Sequence, residues 1–219
     1  MIENKASEIK NIIFDLGGVL LNINPLLSLL ELVKISETDS ETMKTKLAAE
    51  GIFEKFDTGS ISAGQFRSML CQILNRSVSD TEIDRIWNAL LLDFPKERVE
   101  LLQQIRSNYR VILLSNTNII HFQKYSSDFL ENYGIPFTGL FDRLFLSYEI
   151  GMHKPDAGIY NYVLENAGIN PGETAFFDDS LANIRAAEQT GILSFHISGG
   201  IEVTDFFENG LLKPTVTCR

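Results

Sequence analysis

The sequence predicts an α/β protein, a doubly wound parallel sheet with a helical cap inserted directly after its first strand. Three observations carry this. From Pro95 onward, segments of helical spacing alternate with short apolar runs, the pattern of helices crossing between parallel strands. Residues 26–94 read as helical, with no clear buried-strand signal among them. Ahead of both stands one isolated apolar run, Ile12-Ile13-Phe14, which ends in a carboxylate and enters a glycine pair, Asp15-Leu16-Gly17-Gly18.

The elements follow in order. Ile12 to Phe14 is a buried strand, and the glycines after it let the backbone approach a ligand closely. Leu26, Leu27, Leu29, Leu30, Leu32 and Val33 form an apolar stretch of helical length, and Ser40 to Ala49 a second helix. Ser62-Ala63-Gly64-Gln65 fits the Ser-x-x-Gln capping box and opens a helix through Phe66, Met69, Leu70 and Ile73. Asp80 or Thr81 caps the next, with Ile83, Ile86, Trp87, Leu90 and Leu91 turned inward. A helix near Glu97 to Ser107 then precedes the strand Val111 to Ser115, and a helix over His121 to Tyr133 precedes the strand Leu144 to Ser147. A helix over Ala157 to Ala167 leads to Thr174 to Phe177, a strand ending in Asp178-Asp179. Leu181 to Thr190 is helical, and Ile192 to His196 is the last core strand. The division is a Rossmann-like core from residues 1–21 and 95–219 and a cap from residues 22–94.

Composition bounds the function. The chain has 219 residues, 44% hydrophobic and 22% charged, ordinary values for a soluble globular protein. A formal net charge of −10 argues against nucleic acid, whose binders present a basic patch, and against docking on anionic lipid. An anionic ligand must therefore be captured locally, by a metal, a lysine and backbone N–H groups. Cys71 and Cys218 lie far apart and suggest reduced, inert thiols. The opening Met1-Ile2-Glu3-Asn4-Lys5 lacks an apolar signal region, and no stretch approaches a membrane span. A cytoplasmic protein, monomeric or a weak homodimer, is the expectation.

The strand ends carry the chemistry. In an open parallel sheet, ligands bind beyond the carboxyl ends of the strands. There the sequence places Asp15, then Ser115-Asn116-Thr117-Asn118, then Asp178-Asp179, with Lys154 in the Gly- and Pro-punctuated loop Gly151 to Pro155. A carboxylate nucleophile, a hydroxyl, an ammonium and a carboxylate pair compose a metal-assisted phosphoryl-transfer site, and hard oxygen ligands of this kind suit Mg²⁺.

Phe14-Asp15-Leu16-Gly17-Gly18-Val19, Leu114-Ser115-Asn116-Thr117-Asn118, His153-Lys154-Pro155 and Phe177-Asp178-Asp179-Ser180 resemble the four ordered motifs of the haloacid dehalogenase (HAD) superfamily. The closer resemblance is to the subgroup holding bacterial glucose-1-phosphate phosphatase and the amino-terminal phosphatase domain of mammalian soluble epoxide hydrolase. It rests on Ser115 to Asn118 followed by His121, on Phe176 to Asp179 with Asn183, and on Gly59-Ser60-Ile61-Ser62. The resemblance implies a phosphoric monoester hydrolase acting on a small phosphorylated metabolite, a sugar phosphate foremost. Asp15 would be the nucleophile that forms an aspartyl-phosphate. Ser115 and Lys154 would hold the transferring phosphoryl group, with Gly17, Gly18, Asn116 and His121 as further phosphate or substrate contacts. Asp15, the Gly17 carbonyl and Asp179 would bind Mg²⁺, with Asp178 a further or water-mediated ligand and Asn183 orienting that shell. The insertion would be a cap that closes over the site and selects the leaving group.

One position departs from the pattern. Most phosphatases of the superfamily carry a second aspartate two residues after the nucleophile as general acid and base, and here that residue is Gly17. Such help is worth about 10²–10⁴-fold in rate. A good leaving group, Asp178, or a cap residue near Asp57 are the alternatives for making it good. Two rival functions remain beside the phosphatase. One is a metal-free 2-haloacid dehalogenase, against which the Asp178-Asp179 pair speaks. The other is a catalytically weak phosphate- or partner-binding protein, suggested by Gly17.

Overall fold

In the computed structural model, which describes residues 8–36 and 38–214, the chain folds around a five-stranded parallel sheet. Its strands are β1 (Asn11–Phe14), β2 (Arg110–Ser115), β3 (Arg143–Leu146), β4 (Thr174–Asp178) and β5 (Leu193–His196), in the order β3-β2-β1-β4-β5. β1 is central, with Ile13 in register with Ile112 on one side and Phe176 on the other. The connections run outward from β1 through β2 to β3 and then restart on its other side at β4. The carboxyl end of β1 is therefore the switch point, where such sheets bind ligands.

Alternation along these strands sends side chains to two buried layers. Ile12, Phe14, Val111, Leu113, Ala175 and Phe177 enter one; Ile13, Ile112, Leu114 and Phe176 enter the other. Nearer the end of the chain, Phe206 and Phe207 pack into the first of them. Phe207 also opens a two-residue hairpin, β6 (Phe207–Glu208) with β7 (Leu211–Leu212), too short to leave an alternating signal.

Among the described residues, five helices lie between β1 and Leu90: α1 (Pro25–Ile35), α2 (Ser40–Glu50), α3 (Ile52–Asp57), α4 (Ala63–Leu74) and α5 (Asp80–Asn88). They bury a cluster of their own, built from Leu32, Met43, Leu47, Phe56, Phe66, Leu70, Ile83, Ile86 and Trp87. Local chemistry sets their ends. Asp39 caps α2 by accepting from the Thr42 N–H at 2.9 Å, and Gly51 closes it in the left-handed region. The Ser62–Gln65 capping box is formed in both directions. Ser79, not Asp80 or Thr81, caps α5 through the Glu82 N–H, and the helix stops at Asn88. Leu90 and Leu91 therefore lie past its end and are half-buried.

The chain enters and leaves this helical unit along one paired ribbon. Asn22 N–H donates to Asp93 O at 2.9 Å, Leu92 N–H to Asn22 O at 3.0 Å, and Asn24 N–H to Leu90 O at 2.8 Å. Arg98 anchors the ribbon's base, bonding Asn22 Oδ1 at 3.0 Å and Glu202 at 2.8 Å.

After the ribbon come α6 (Lys96–Ile105), α7 (Ile119–Tyr133), α8 (Ser147–Ile150), α9 (Ala157–Ala167) and α10 (Leu181–Glu188). The third strand ends at Leu146, one residue before the expected Ser147. That serine opens α8 instead, its hydroxyl accepting from Thr117 N–H at 2.9 Å and donating to Thr117 O at 3.0 Å. Among the described residues no helix is long and apolar enough to cross a membrane. The leading residues read for a signal region and Cys218 lie outside the described residues, while Cys71 is a free, half-buried thiol.

Candidate active site

Each predicted motif ends a strand or follows one, and the switch point gathers them. Asp15 directly follows β1, Ser115 ends β2 and Asp178 ends β4; Lys154 arrives on the loop after α8, through a cis bond to Pro155. The Lys154 ammonium is buried between two carboxylates, 2.8 Å from Asp15 Oδ1 and 2.7 Å from Asp178 Oδ2, and donates to the Leu114 carbonyl at 3.0 Å. Burial alone would lower it, but Asp15 and Asp178 outweigh that and hold it above the ordinary lysine value. Asn116 braces its backbone from β2: Nδ2 donates to Lys154 O at 2.8 Å and Oδ1 accepts from Lys154 N–H at 2.9 Å.

Asp178 is fully committed. Besides Lys154, it accepts from Asn183 Nδ2 at 2.9 and 3.1 Å and from Ser180 N–H at 2.8 Å. Asn183 thus orients Asp178, and the Tyr160 hydroxyl fixes Asn183 in turn by donating to its carbonyl at 3.0 Å. Asp179 points from the same turn and is exposed. One carboxylate oxygen from each of Asp15, Asp178 and Asp179 lies within 4.8 Å of the others. Burial raises the Asp15 carboxyl, and Asp178 adds to the rise while Lys154 opposes it. Burial likewise raises Asp179, with Asp178 again adding. Three carboxylates against one ammonium leave excess negative charge on hard oxygen donors, a set that fits a divalent cation such as Mg²⁺.

The glycines match the crowding. Gly18 has φ +77°, and a Cβ there would fall 2.3 Å from Asp179 Oδ2. Gly18→Ala is therefore expected to cost about 1–2 kcal/mol in backbone strain and to displace Asp179, seen as weaker Mg²⁺ binding by calorimetry. Gly17 has no such backbone requirement. The space a side chain would enter there holds Ile23 Cδ1, 2.9 Å from an ideal Cβ.

Beside the switch point the helical unit meets the core, where Asp57 bonds Asn118. A cavity of about 540 Å³ lies between them, walled by apolar side chains of α1 and α2 with Phe53 and Trp87, and edged by Asn116, His121 and Asp57. His121 is neither a helix-surface residue nor free. Its ring stacks on Trp87 at 4.9 Å and its nitrogens meet Asn118 Nδ2 and the Trp87 carbonyl, each at 3.1 Å. Burial pushes it down to about 4, so it is neutral at pH 7. His153 is half-buried, 3.4 Å from Glu54.

Asp57 and Asn118 are the pairing that sequence reasoning did not draw. Asn118 caps α7 with its Oδ1 on His121 N–H at 3.1 Å and gives its Nδ2 to Asp57 Oδ1 at 2.9 Å. Burial raises the Asp57 carboxyl to about 6, against the opposing Asn118 bond and His153. A carboxyl raised by folding stabilises the fold while protonated, and that contribution is lost as pH climbs through the folded-state value. Wild-type stability relative to Asp57→Asn is thus expected to be highest below about pH 4 and to fall as pH rises through about 6, read from melting temperatures across that range.

Comparison with known proteins places this geometry in a family. Residues 9–191 match the haloacid dehalogenase-like hydrolase model, and the chain belongs to that family. It is 30% identical to the D-ribitol-5-phosphate phosphatase of Bacteroides thetaiotaomicron, over 89% of this chain and 94% of that protein. It is 27% identical to a sesquiterpene phosphatase of Aspergillus oryzae, over 88% and 91% of the two chains. A HAD family enzyme from B. thetaiotaomicron, solved in complex with magnesium and inorganic phosphate, superposes with a TM-score of 0.85 at 35% identity, covering 91% of this chain and 100% of that one.

Proposed function

We propose that this chain is a Mg²⁺-dependent phosphatase of a small phosphorylated metabolite, working through an aspartyl-phosphate on Asp15. The observation that carries the reading is the convergence of the Asp15, Asp178 and Asp179 carboxylates within 4.8 Å around the buried Lys154 ammonium. The named phosphatases among its relatives, and the magnesium and phosphate in the solved relative, support it.

Asp15 Oδ attacks phosphorus while the leaving oxygen takes the electron pair of the breaking P–O bond; water then attacks the aspartyl-phosphate and returns the carboxylate. Lys154 holds Asp15 in line and, with the Ser115 hydroxyl, faces the phosphoryl oxygens. Asp15, the Gly17 carbonyl and Asp179 would hold Mg²⁺, which neutralises phosphoryl charge, with Asp178 as the further carboxylate and Asn183 orienting it. Gly18 and Asn116 shape the phosphate loop, and residues 22–94 serve as the cap. The three-carboxylate cluster also weighs against a metal-free dehalogenase. The acidic composition supports a protein without nucleic-acid partners, and we take it to be cytoplasmic and monomeric or weakly dimeric.

A phosphorylated sugar or sugar alcohol is the substrate class the ribitol phosphatase suggests. The apolar cavity walls favour a second class, the phosphate ester of an apolar alcohol, because each hydroxyl buried there without a partner costs about 1–3 kcal/mol. Phosphate release from pentitol, hexose and prenyl phosphates, with Mg²⁺ and with EDTA, decides between them. Release only with Mg²⁺ supports the phosphatase; release unchanged by EDTA, or none from any ester, would sink it.

A further inference from the structure

We propose that Asp57 of the cap is the acid–base group of the reaction, in the role that Gly17 cannot fill. The inference rests on the phosphatase reading above. The transfer to Asp15 leaves an alkoxide on any ordinary sugar or alcohol ester, and a proton must reach that oxygen as the P–O bond breaks. Among the described residues of the core the candidate donors are otherwise engaged, and Asp179 would serve the metal. Gly17 has no side chain, and Ile23 occupies the space where one would begin. Asp178 is engaged by Lys154, Asn183 and Ser180. His121 is neutral at pH 7, with both ring nitrogens in contact with Asn118 and the Trp87 carbonyl.

Asp57 is differently placed. Among the described residues it is the single carboxylate lining the cavity that the helical unit shares with Asn116 and His121 of the core. Its Oδ1 is held by Asn118, three residues beyond Ser115, so the cap carboxyl is tied to the loop that carries the phosphate-facing hydroxyl. Its Oδ2 has no hydrogen-bond partner among the described residues and is free to meet a ligand. The turn after it is pressed onto the core: a Cβ on Gly59 would fall 2.2 Å from the Tyr148 carbonyl oxygen, so only glycine lets the backbone come this close. The charged or titratable neighbours are His153 from the core loop, Glu54 on its own helix, and Lys44 and His121 at the cavity wall. Burial keeps part of the Asp57 population protonated near neutral pH, the condition a general acid needs.

The step balances. As the bond from Asp15 Oδ to phosphorus forms and the P–O bond to the leaving group breaks, Asp57 gives its proton to the leaving oxygen. A neutral alcohol departs and Asp57 becomes a carboxylate. It then takes a proton from the water that attacks the aspartyl-phosphate, which releases inorganic phosphate, frees Asp15 and restores the Asp57 carboxyl.

The test compares kcat/KM, which reports the first transfer, for wild type and the near-isosteric Asp57→Asn. Substrates are an unactivated alkyl phosphate and 4-nitrophenyl phosphate, whose phenolate leaves without a proton. The expected result is a loss of about 10²-fold or more on the alkyl ester and little change on the aryl ester. The wild-type alkyl profile is expected to fall as pH rises through about 6, a limb missing from the variant. Equal losses on both esters, no loss on the alkyl ester, or an unchanged pH limb would overturn the proposal. If wild type cleaves neither ester, the phosphatase reading fails and the role of Asp57 fails with it; a loss confined to the variant bears on Asp57 alone.

Discussion

Asp15→Asn is expected to lower Mg²⁺-dependent phosphate release by at least about 10³-fold, because removing a covalent nucleophile leaves only binding and electrostatics to accelerate the reaction. The amide keeps the shape of the carboxylate, and the fold should tolerate it. Burial raises the Asp15 carboxyl in the folded state, so its stabilising contribution is present at low pH and is lost as pH rises and the group ionises beside Asp178. In EDTA at alkaline pH the variant should therefore melt no lower than wild type. A variant that retains a tenth of wild-type turnover would remove Asp15 from the chemistry.

Lys154→Ala should cost the most stability of any single change at the site. The ammonium compensates two buried carboxylates at 2.8 and 2.7 Å, and removing one partner of such a cluster costs about 3–5 kcal/mol by leaving buried charge uncompensated. Activity should vanish with it, because Asp15 loses the group that aligns it. The loss, measured by urea unfolding, should be largest at neutral pH and shrink in acid, where the Asp15 carboxyl, raised by burial, takes up a proton. Added Mg²⁺ should recover part of it. An equal loss at pH 4 and pH 7 would show that packing, not charge, is what Lys154 supplies.

How much of this was legible depended on the range of the interaction. Asp15, Ser115 and Asp178 could be read because each closes an apolar run, and a parallel sheet delivers the carboxyl ends of its strands to one edge. Lys154 could be placed because Gly151 and Pro155 mark its loop. Their distances could not be read, nor could the use of Asn116 as a brace for the Lys154 backbone, which depends on two loops meeting across 38 positions. The bond between Asp57 and Asn118 joins residues 61 apart and belongs to neither element's local pattern. The sequence pointed to the neighbourhood of Asp57 only as one alternative for the missing acid. Errors in element ends were local competitions. Ser79 outbid Asp80 as a cap by one position, and Ser147 left the third strand because its hydroxyl closes on the Thr117 backbone.

The paired ribbon at residues 22–24 and 90–93 limits how the helical unit can open. Two separate tethers would each flex at their own bonds and let the unit slide, twist or tip. Here the outgoing and returning strands share hydrogen bonds and are pinned at the base by Arg98, so neither can lengthen or rotate without the other. What remains is bending of the ribbon out of its own plane, a door on one hinge line. Opening on such a hinge would lift Asp57 away from Asn118, and closing would restore that bond. Distances between spin labels on α2 and α9 should accordingly fall into one open and one closed population, and a broad continuum would contradict a single hinge.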